Sequence, residues 1–429
     1  MISKRFLAIF AAMWICVFGH ILAAQAAEQG PAQVKILQTQ RGYTLTVDGK
    51  PFFVNGAGGT RHMDKLVTAG GNSVRTWGSS PRELDRAQEH GLMVCMGLPA
   101  RAIRHGADYG DPAFVTAQRR RILAEVEKLK DHPALLIWGI GNEVEHHADK
   151  EQRLLAWKDI EETAKAIKQI DANHPVITVL AGTGEKLKEI KELCPSLDAI
   201  GINSYGALLK LPQDLRKYGW DKPYLVTEFG PRGWWEVAKT SWGLPIEDSS
   251  TEKAAFYAKA YKAGIAGRLN CLGSYVFLWG QKQEKTHTWF GLFLPDGRAT
   301  EIVETMTRVW TGNWPENRCP RIGKKEIFSR SESHIYSPAS EIEFVIDASD
   351  PENDAITVQW DLRKDVSDNT ATGGDFEPAV EPIQGAVIKA EGKTVLVRMP
   401  VEKGNYRLFA YVSDTPDRAA TANLPIRVE

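Results

Sequence analysis

Cysteine is scarce. The chain has five in 429 residues, with no two in CxxC spacing, which excludes a cysteine-based zinc site. Net charge is nearly absent as well. Lys and Arg total 53 against 54 Asp and Glu, so the cationic field that a nucleic-acid binder or a polybasic membrane-surface protein needs is missing. After the N-terminal segment no apolar run approaches the length of a membrane span. A Gly-rich phosphate loop is also lacking: Gly56-Ala57-Gly58-Gly59 does not fit GxGxxG and reads as a tight turn. His146 and His147 lie beside Glu143 and Glu145, but adjacent histidine side chains diverge, and the helical i,i+4 pair of a zinc protease is not there. Neither a metal nor a cofactor is therefore expected. What the chain does have is 43% hydrophobic residues, too many for disorder, and 13 Trp, a density that points to stacking on planar ligands or sugars.

The N-terminus reads as an export signal. Lys4 and Arg5 precede an apolar run from Phe6 to about Ala24, and Ala24-Gln25-Ala26 has the small-x-small form of a cleavage site. An uncleaved membrane anchor is the alternative, against which Gly19 and His20 interrupt the run. Residues 1–26 are thus predicted to be a signal peptide, and the mature protein to be secreted or periplasmic with no membrane span. Trp14-Ile15 before Cys16 does not form a lipobox. Cys95, Cys194, Cys271 and Cys319 would remain; an oxidising compartment permits disulfides among them, and their pairing is open. Cys95 and Cys271 sit in apolar strand-like runs, where a buried free thiol is the default.

The middle of the chain counts to eight. Strand-like runs are predicted at about 51–55, 72–77, 92–98, 135–141, 176–180, 199–203, 224–228 and 273–279, with helical patterns such as 81–90, 112–129, 150–170, 251–267 and 300–310 between them. Continuous apolar strands separated by helices suit a parallel sheet covered on its outer side. Eight units in this length predict a (β/α)8 TIM barrel over residues 36–314; a doubly wound sheet is second choice. Pro-rich, charged residues make 315–335 a linker. Residues 336–429 alternate apolar and polar positions in six or seven short strands, which predicts a smaller β-sandwich. Nothing in these patterns points to a particular oligomeric state.

Enzymes of the barrel fold place their chemistry where strands end. The predicted strand ends carry Asn55, Arg75 with Trp77, Asn142 with Glu143, Asn203 with Tyr205, Glu228 and Trp279. Glu143 and Glu228, on the fourth and seventh strands, would face each other across the mouth. A pair of carboxylates flanking a sugar is the minimal machinery for cleaving a glycosidic bond, and rigid strands can hold the ~5 Å separation that predicts retention.

Here the sequence resembles the clan A glycoside hydrolases, most closely the catalytic barrel of family 2. The resemblance spans about residues 40–315 and rests on GGNSVRTWG (70–78), WGIGNEVE (138–145), INSYG (202–206), VTEFG (226–230), YVFLWG (275–280) and GLFLPDGRAT (291–300), in that order. It implies that Glu143 is the acid/base and Glu228 the nucleophile. Beside them, Arg75 offers Glu228 an opposite charge and Tyr205 a hydrogen bond; Asn142 suits a sugar 2-hydroxyl, and Asn203 and Trp77 complete the rim. Trp279 is expected to floor the subsite of the reacting sugar, and Glu145 to be a loop acid at its edge. The loop 231–250 holds Trp234, Trp235 and Trp242, read as walls of sugar subsites with plain loop anchors as the alternative; His287, Trp289 and His62 are expected to contribute similarly. Separately, FVIDASDPENDAITVQWDL (344–362) resembles PKD-type or cadherin-like modules, whose Asp350, Glu352 and Asp354 could bind calcium or simply be solvated turn acids.

Full-length family 2 proteins carry sandwich domains ahead of the barrel, whereas here about 25 residues separate the signal from the first strand. An open, Trp-lined cleft suits internal binding of a β-glucan-like chain. The expectation is a retaining glycosidase or transglycosidase, endo-acting or glycan-transferring, on an extracytoplasmic oligo- or polysaccharide. The alternative is a non-catalytic carbohydrate-binding protein on the same scaffold.

Overall fold

The computed structural model describes residues 30–330, 333–369, 373–415 and 417–429. The predicted signal peptide, residues 1–26, lies outside the described residues. Among the described residues no helix is long and apolar enough to cross a membrane.

The chain enters through a small antiparallel sheet, β1 (Val34–Thr39), β2 (Gly42–Val47) and β3 (Lys50–Pro51). Val34 and Leu45 of this sheet join one apolar cluster with the barrel residues Val54, Leu136, Ile177, Ala199, Leu225 and Tyr275, so the sheet seals one end of the barrel and excludes water there. Eight strands then close the barrel: β4 (Val54–Gly58), β5 (Ser73–Arg75), β6 (Met93–Leu98), β7 (Leu135–Ile140), β8 (Val176–Ala181), β9 (Ala199–Asn203), β10 (Tyr224–Phe229) and β11 (Cys271–Val276), with β11 pairing back to β4. Every neighbouring pair is parallel. Both faces are covered, which is why strands such as LLIWGI and YLVTEF are buried throughout. At the closing seam Gly273 has φ +127°, and a Cβ there would meet the backbone of Val54; only glycine allows that approach.

The outer helices start where the chain offers caps. Ser80 accepts from the Glu83 amide ahead of Pro81–Glu89, and Asp149 forms a capping box with Gln152 ahead of Lys150–Ile170. The barrel's first strand is β4, Val54–Gly58, while residues 50–51 pair with the N-terminal sheet. Asn55 is therefore the second residue of its strand, opposite Ser274, away from the C-terminal strand end where it was expected. The eighth strand stops at Val276, three residues before Trp279.

Two largely antiparallel sheets follow the barrel. Strand β12 (Ala299–Thr300) precedes the helix Glu301–Thr311, and after it come β13 (Arg321–Phe328), β14 (Ile335–Tyr336), β15 (Glu341–Ser349), β16 (Thr357–Lys364), β17 (Val387–Glu391), β18 (Thr394–Arg398), β19 (Gly404–Ser413) and β20 (Arg418–Val428). One sheet runs β13-β15-β18-β17 and the other β12-β20-β19-β16. A single apolar cluster joins Phe344, Ile346, Val395 and Val397 of the first to Leu362, Leu408, Val412 and Ile426 of the second. The stretch 315–335, expected as a linker, instead contains β13, paired with β15. Its charges misled: Ile322 and Ile327 are buried while Lys324 and Lys325 face water.

The two parts are not beads on a string. Strand β12, upstream of the barrel's last helix, adds in parallel to β20. Buried Arg407 donates to Asp365 Oδ2 at 2.7 Å, Asn423 Oδ1 at 2.7 Å and the Pro245 carbonyl at 2.9 Å. The four cysteines among the described residues, Cys95, Cys194, Cys271 and Cys319, are buried free thiols. Asp350 Oδ1 accepts from the amides of Glu352 and Asp354, each at 2.9 Å, so this acid closes its own turn. Among the described residues no group of three or more His, Cys, Asp or Glu is placed to hold a metal ion.

Candidate active site

Four parallel strand ends supply the centre. Arg75, the last residue of β5, is buried and aims its guanidinium inward. One nitrogen donates to the Thr227 carbonyl at 2.9 Å and to Glu228 Oε1 at 2.8 Å, and the other to Asn142 Oδ1 at 2.6 Å. Glu228, near the end of β10, collects two further donors: Trp77 Nε1 reaches Oε1 at 2.9 Å and the Tyr205 hydroxyl reaches Oε2 at 2.8 Å. Three donors, one of them cationic, hold this carboxylate in a single orientation. The Arg75 guanidinium also lies 5.1 Å from the Trp77 ring centroid.

Glu143 is treated differently. It sits on the turn after β7, where Gly141 has φ +69° and a Cβ would strike Val144. Glu143 itself has φ +51°, a left-handed conformation that costs a non-glycine residue about 1–2 kcal/mol. Its amide donates to the Val179 carbonyl at 2.9 Å, which pins the turn to the neighbouring strand. Its carboxylate accepts from Asn203 Nδ2 at 2.9 Å. Asn203 Oδ1 in turn accepts from the Thr227 hydroxyl at 2.8 Å, so its amide group must face Glu143 and Asn142. Burial, and then the negative charge of Glu228, push the Glu143 carboxyl up to about 7, against the pull of the Asn203 hydrogen bond. The two carboxylates are thus close enough to feel each other, joined through Arg75, Asn142 and Asn203.

Aromatic groups wall this centre. Trp77 is 37% exposed and Trp235 is 49% exposed, while Tyr205 packs edge-on against Trp235 at 5.5 Å. Phe277, unforeseen in the sequence, meets Trp77 at 5.8 Å and Tyr205 at 6.0 Å, both edge-on. Burial and the charges of Glu228, Glu284 and Glu143 hold the Tyr205 phenol well above its usual range, so it stays a donor. Glu284, likewise unforeseen, is buried and accepts from Lys282 at 2.6 Å. Thr227 was missed because strict alternation would turn it away from the side that Glu228 faces; the register shift between Val226 and Glu228 lets both side chains reach the site.

Several expected contributors lie elsewhere. Trp279 is fully buried, donates to the His62 carbonyl at 3.1 Å and packs on Phe293 and Trp310; past the end of its strand the chain has turned, and the ring enters the core instead of flooring a sugar site. The His62 ring lies on Phe293 at 4.4 Å. Trp289 is buried and donates to the Arg232 carbonyl at 3.0 Å, a loop anchor. His287 is buried against the C-terminal sheets, its Nε2 2.7 Å from the Tyr411 hydroxyl and its ring on Phe409; burial pulls its pKa down to about 4. Trp234 is partly buried behind Trp235, its ring covered by the Lys285 ammonium at 4.4 Å and its Nε1 3.4 Å from Glu284. Glu145 is no rim acid: it is buried, paired with Lys186 at 2.6 Å, and accepts from the Ala181 amide.

Fold and site together define a barrel with two opposed acidic groups at its open face. Residues 66–233 match the model of the glycosyl hydrolases family 2 TIM barrel domain. A β-galactosidase of Photobacterium profundum is 26% identical over 200 residues, which is 41% of this chain and 18% of that protein. A β-galactosidase of Vibrio vulnificus is 26% identical over 181 residues, 37% of this chain and 16% of that protein. The chain therefore spans less than a fifth of the length of these relatives. Among solved structures, Bacteroides uniformis β-glucuronidase superposes with a TM-score of 0.52 at 13% identity, over 92% of this chain and 48% of that one. Bifidobacterium dentium β-glucuronidase complexed with coumarin-3-O-glucuronide gives 0.51 at 19% identity, over 66% and 49%. At these identities the likeness is one of fold.

Proposed function

We propose that the protein is a retaining β-glycoside hydrolase. The observation that carries this reading is the unequal treatment of two neighbouring carboxyl groups. Glu228 is surrounded by donors and a cation, as a nucleophile that must stay ionised requires; Glu143 is held protonated near neutrality, as a general acid requires. In the first step Glu228 attacks the anomeric carbon. The bond to the leaving oxygen breaks, and Glu143 hands that oxygen its proton. Forming the glycosyl ester removes the negative charge of Glu228, so Glu143 ionises more readily and can next take a proton from water. The water oxygen then attacks the anomeric carbon and Glu228 is released with retention. A sugar hydroxyl in place of water gives transglycosylation with the same residues. Asn142 is suited to the 2-hydroxyl, and Trp77 and Trp235 to the faces of sugar rings.

The signal-like N-terminus supports an extracytoplasmic location, and the exposed Trp77 and Trp235 rings support a β-linked, β-glucan-like oligo- or polysaccharide as substrate. We read the C-terminal sheets as a PKD- or cadherin-like sandwich. The test is turnover of an aryl β-glycoside panel by wild type, Glu228→Ala and Glu143→Ala. The Glu228 variant is expected to lose activity on every substrate. The Glu143 variant should keep some on good leaving groups and be rescued by azide. Undiminished activity in both would overturn the assignment. Glycan binding with no turnover in the wild type would make the protein a non-catalytic lectin-like barrel.

A further inference from the structure

A short stretch of the C-terminal unit, residues 373–377, lies over the open face of the barrel. The Gly373 carbonyl accepts from Arg104 Nη1 at 2.9 Å, and Asp375 Oδ1 lies 3.5 Å from the same nitrogen and 3.2 Å from His105 Nε2. Arg104 and His105 belong to the loop after β6. On the other side, a Cβ on Gly373 would stand 3.7 Å from the Trp235 ring and 3.5 Å from Glu284 Oε1, and the Gly374 amide donates to Glu284 Oε2 at 3.4 Å. Trp235 follows β10, and Glu284 follows β11. In the closed order β10-β11-β4-β5-β6-β7-β8-β9, strands β6 and β10 are four places apart, diametrically opposite. One glycine thus touches loops from both sides of the mouth. Glu377 ties the stretch down by accepting from the Lys285 amide at 2.9 Å.

The anchors sit close to the chemistry. Trp235 packs on Tyr205, a donor to Glu228. The charge of Arg104 acts on Glu143, and that of Glu284 on Tyr205. The gap between Gly373 and the Trp235 ring just admits a methyl group, so no sugar ring passes between them.

We propose that residues 373–377 are a specificity element of the glycan site: a strap across the barrel mouth that admits a β-linked chain by its end and excludes one lying across the face. This rests on the glycosidase reading above, and it replaces the internal cleavage expected from the sequence. The C-terminal unit then acts as a wall of the site as well as an appendage to the barrel.

The test uses the full chain and reducing-end-labelled oligosaccharides of two to six units, built from whichever sugar the aryl-glycoside panel shows to be turned over. Initial-rate products are read by mass spectrometry. Wild type is expected to release units almost wholly from the chain end, with internal cleavage below about one event in twenty. Asp375→Ala and Glu377→Ala, which loosen the strap at its two anchors, should raise the ratio of internal to terminal cleavage at least fivefold. Because the ratio is taken within each protein, a general loss of activity does not imitate the effect. Internal cleavage by wild type above about one event in twenty, from the first turnovers, would overturn the proposal, as would an unchanged ratio in folded variants. Covalent labelling of Glu228 by an activated 2-fluoro glycoside separates the two levels. Labelling together with internal cleavage sinks the strap alone. No labelling and no turnover sinks the glycosidase reading, and the strap with it.

Discussion

Replacing Glu143 with glutamine should make the protein more stable than wild type at alkaline pH, and no different in acid. The Glu143 carboxyl is displaced from an ordinary 4.5 to about 7 by burial and by the charge of Glu228. Its neutral form is therefore the one the fold tolerates. Below the unfolded value the group is protonated in both states, and its contribution to stability is fully present. As pH rises from 4.5 through 7 the unfolded chain gives up the proton first, and that contribution is lost. A displacement of one pH unit is worth about 1.4 kcal/mol, so the full loss is about 3 kcal/mol, and screening by water at the open mouth brings the expected figure to about 1.5–3 kcal/mol. Glutamine keeps the shape and the acceptor for Asn203 but cannot ionise. With an unfolding entropy of about 0.6 kcal/mol per kelvin for a barrel of this size, the variant should melt about 3–5 °C above wild type at pH 8.5. Melting curves of both proteins from pH 4 to 9 provide the assay. The gap should open between 4.5 and 7 and then level off, and the alkaline limb of wild-type kcat/KM should share the upper midpoint. A gap independent of pH, or one that closes as pH rises, would refute the reasoning.

Other substitutions probe the rest of the site. Trp77→Phe removes one donor to Glu228 from a partly exposed ring; a hydrogen bond to a charged group is worth about 1.5–3 kcal/mol, so kcat/KM on an aryl glycoside should fall about 10- to 100-fold with little change in melting temperature. Tyr205→Phe should act alike, through the donor it removes from Oε2. Lys253→Met leaves Glu247 buried without its cation, a pair now 2.5 Å apart with both side chains almost wholly enclosed. Breaking such a pair costs about 3–5 kcal/mol, so the melting temperature should drop sharply, and an unchanged value would show that the pair contributes nothing.

Strands β6 to β9 were legible because a doubly covered strand must be apolar throughout, and such runs announce themselves. Glu143 and Glu228 could be placed on strand ends for the same reason. The errors fall where the signal is a boundary. Pro51 begins no barrel strand, since the same few residues also pair with the N-terminal sheet. Reading the eighth strand three residues too long carried Trp279 to the site and left out Phe277. The stretch 315–335 looked like a linker because a register shift in β13 breaks its alternation, leaving Ile322 and Ile327 buried on either side of the exposed Lys324 and Lys325. His287 and Trp289 carry no local mark that distinguishes a sugar contact from a domain interface, where His287 lies, or a loop anchor, which Trp289 is; both are aromatic rings in a loop, and only the surface opposite decides between them.

The order of strands and helices, the two acids at strand ends and the family resemblance of the barrel follow from the chain's own pattern, because periodicity and spacing are local properties. Which groups surround each acid follows only from closure of the barrel. Closure brings Arg75, Trp77 and Tyr205 onto Glu228 and leaves Glu143 with one amide, across separations of 23 to 153 residues. The strap is further still from any linear signal. Gly373 meets Arg104 across 269 residues, and such a contact exists only once the barrel and the C-terminal sheets have packed together, since burial and Coulomb interaction act through space and not along the chain.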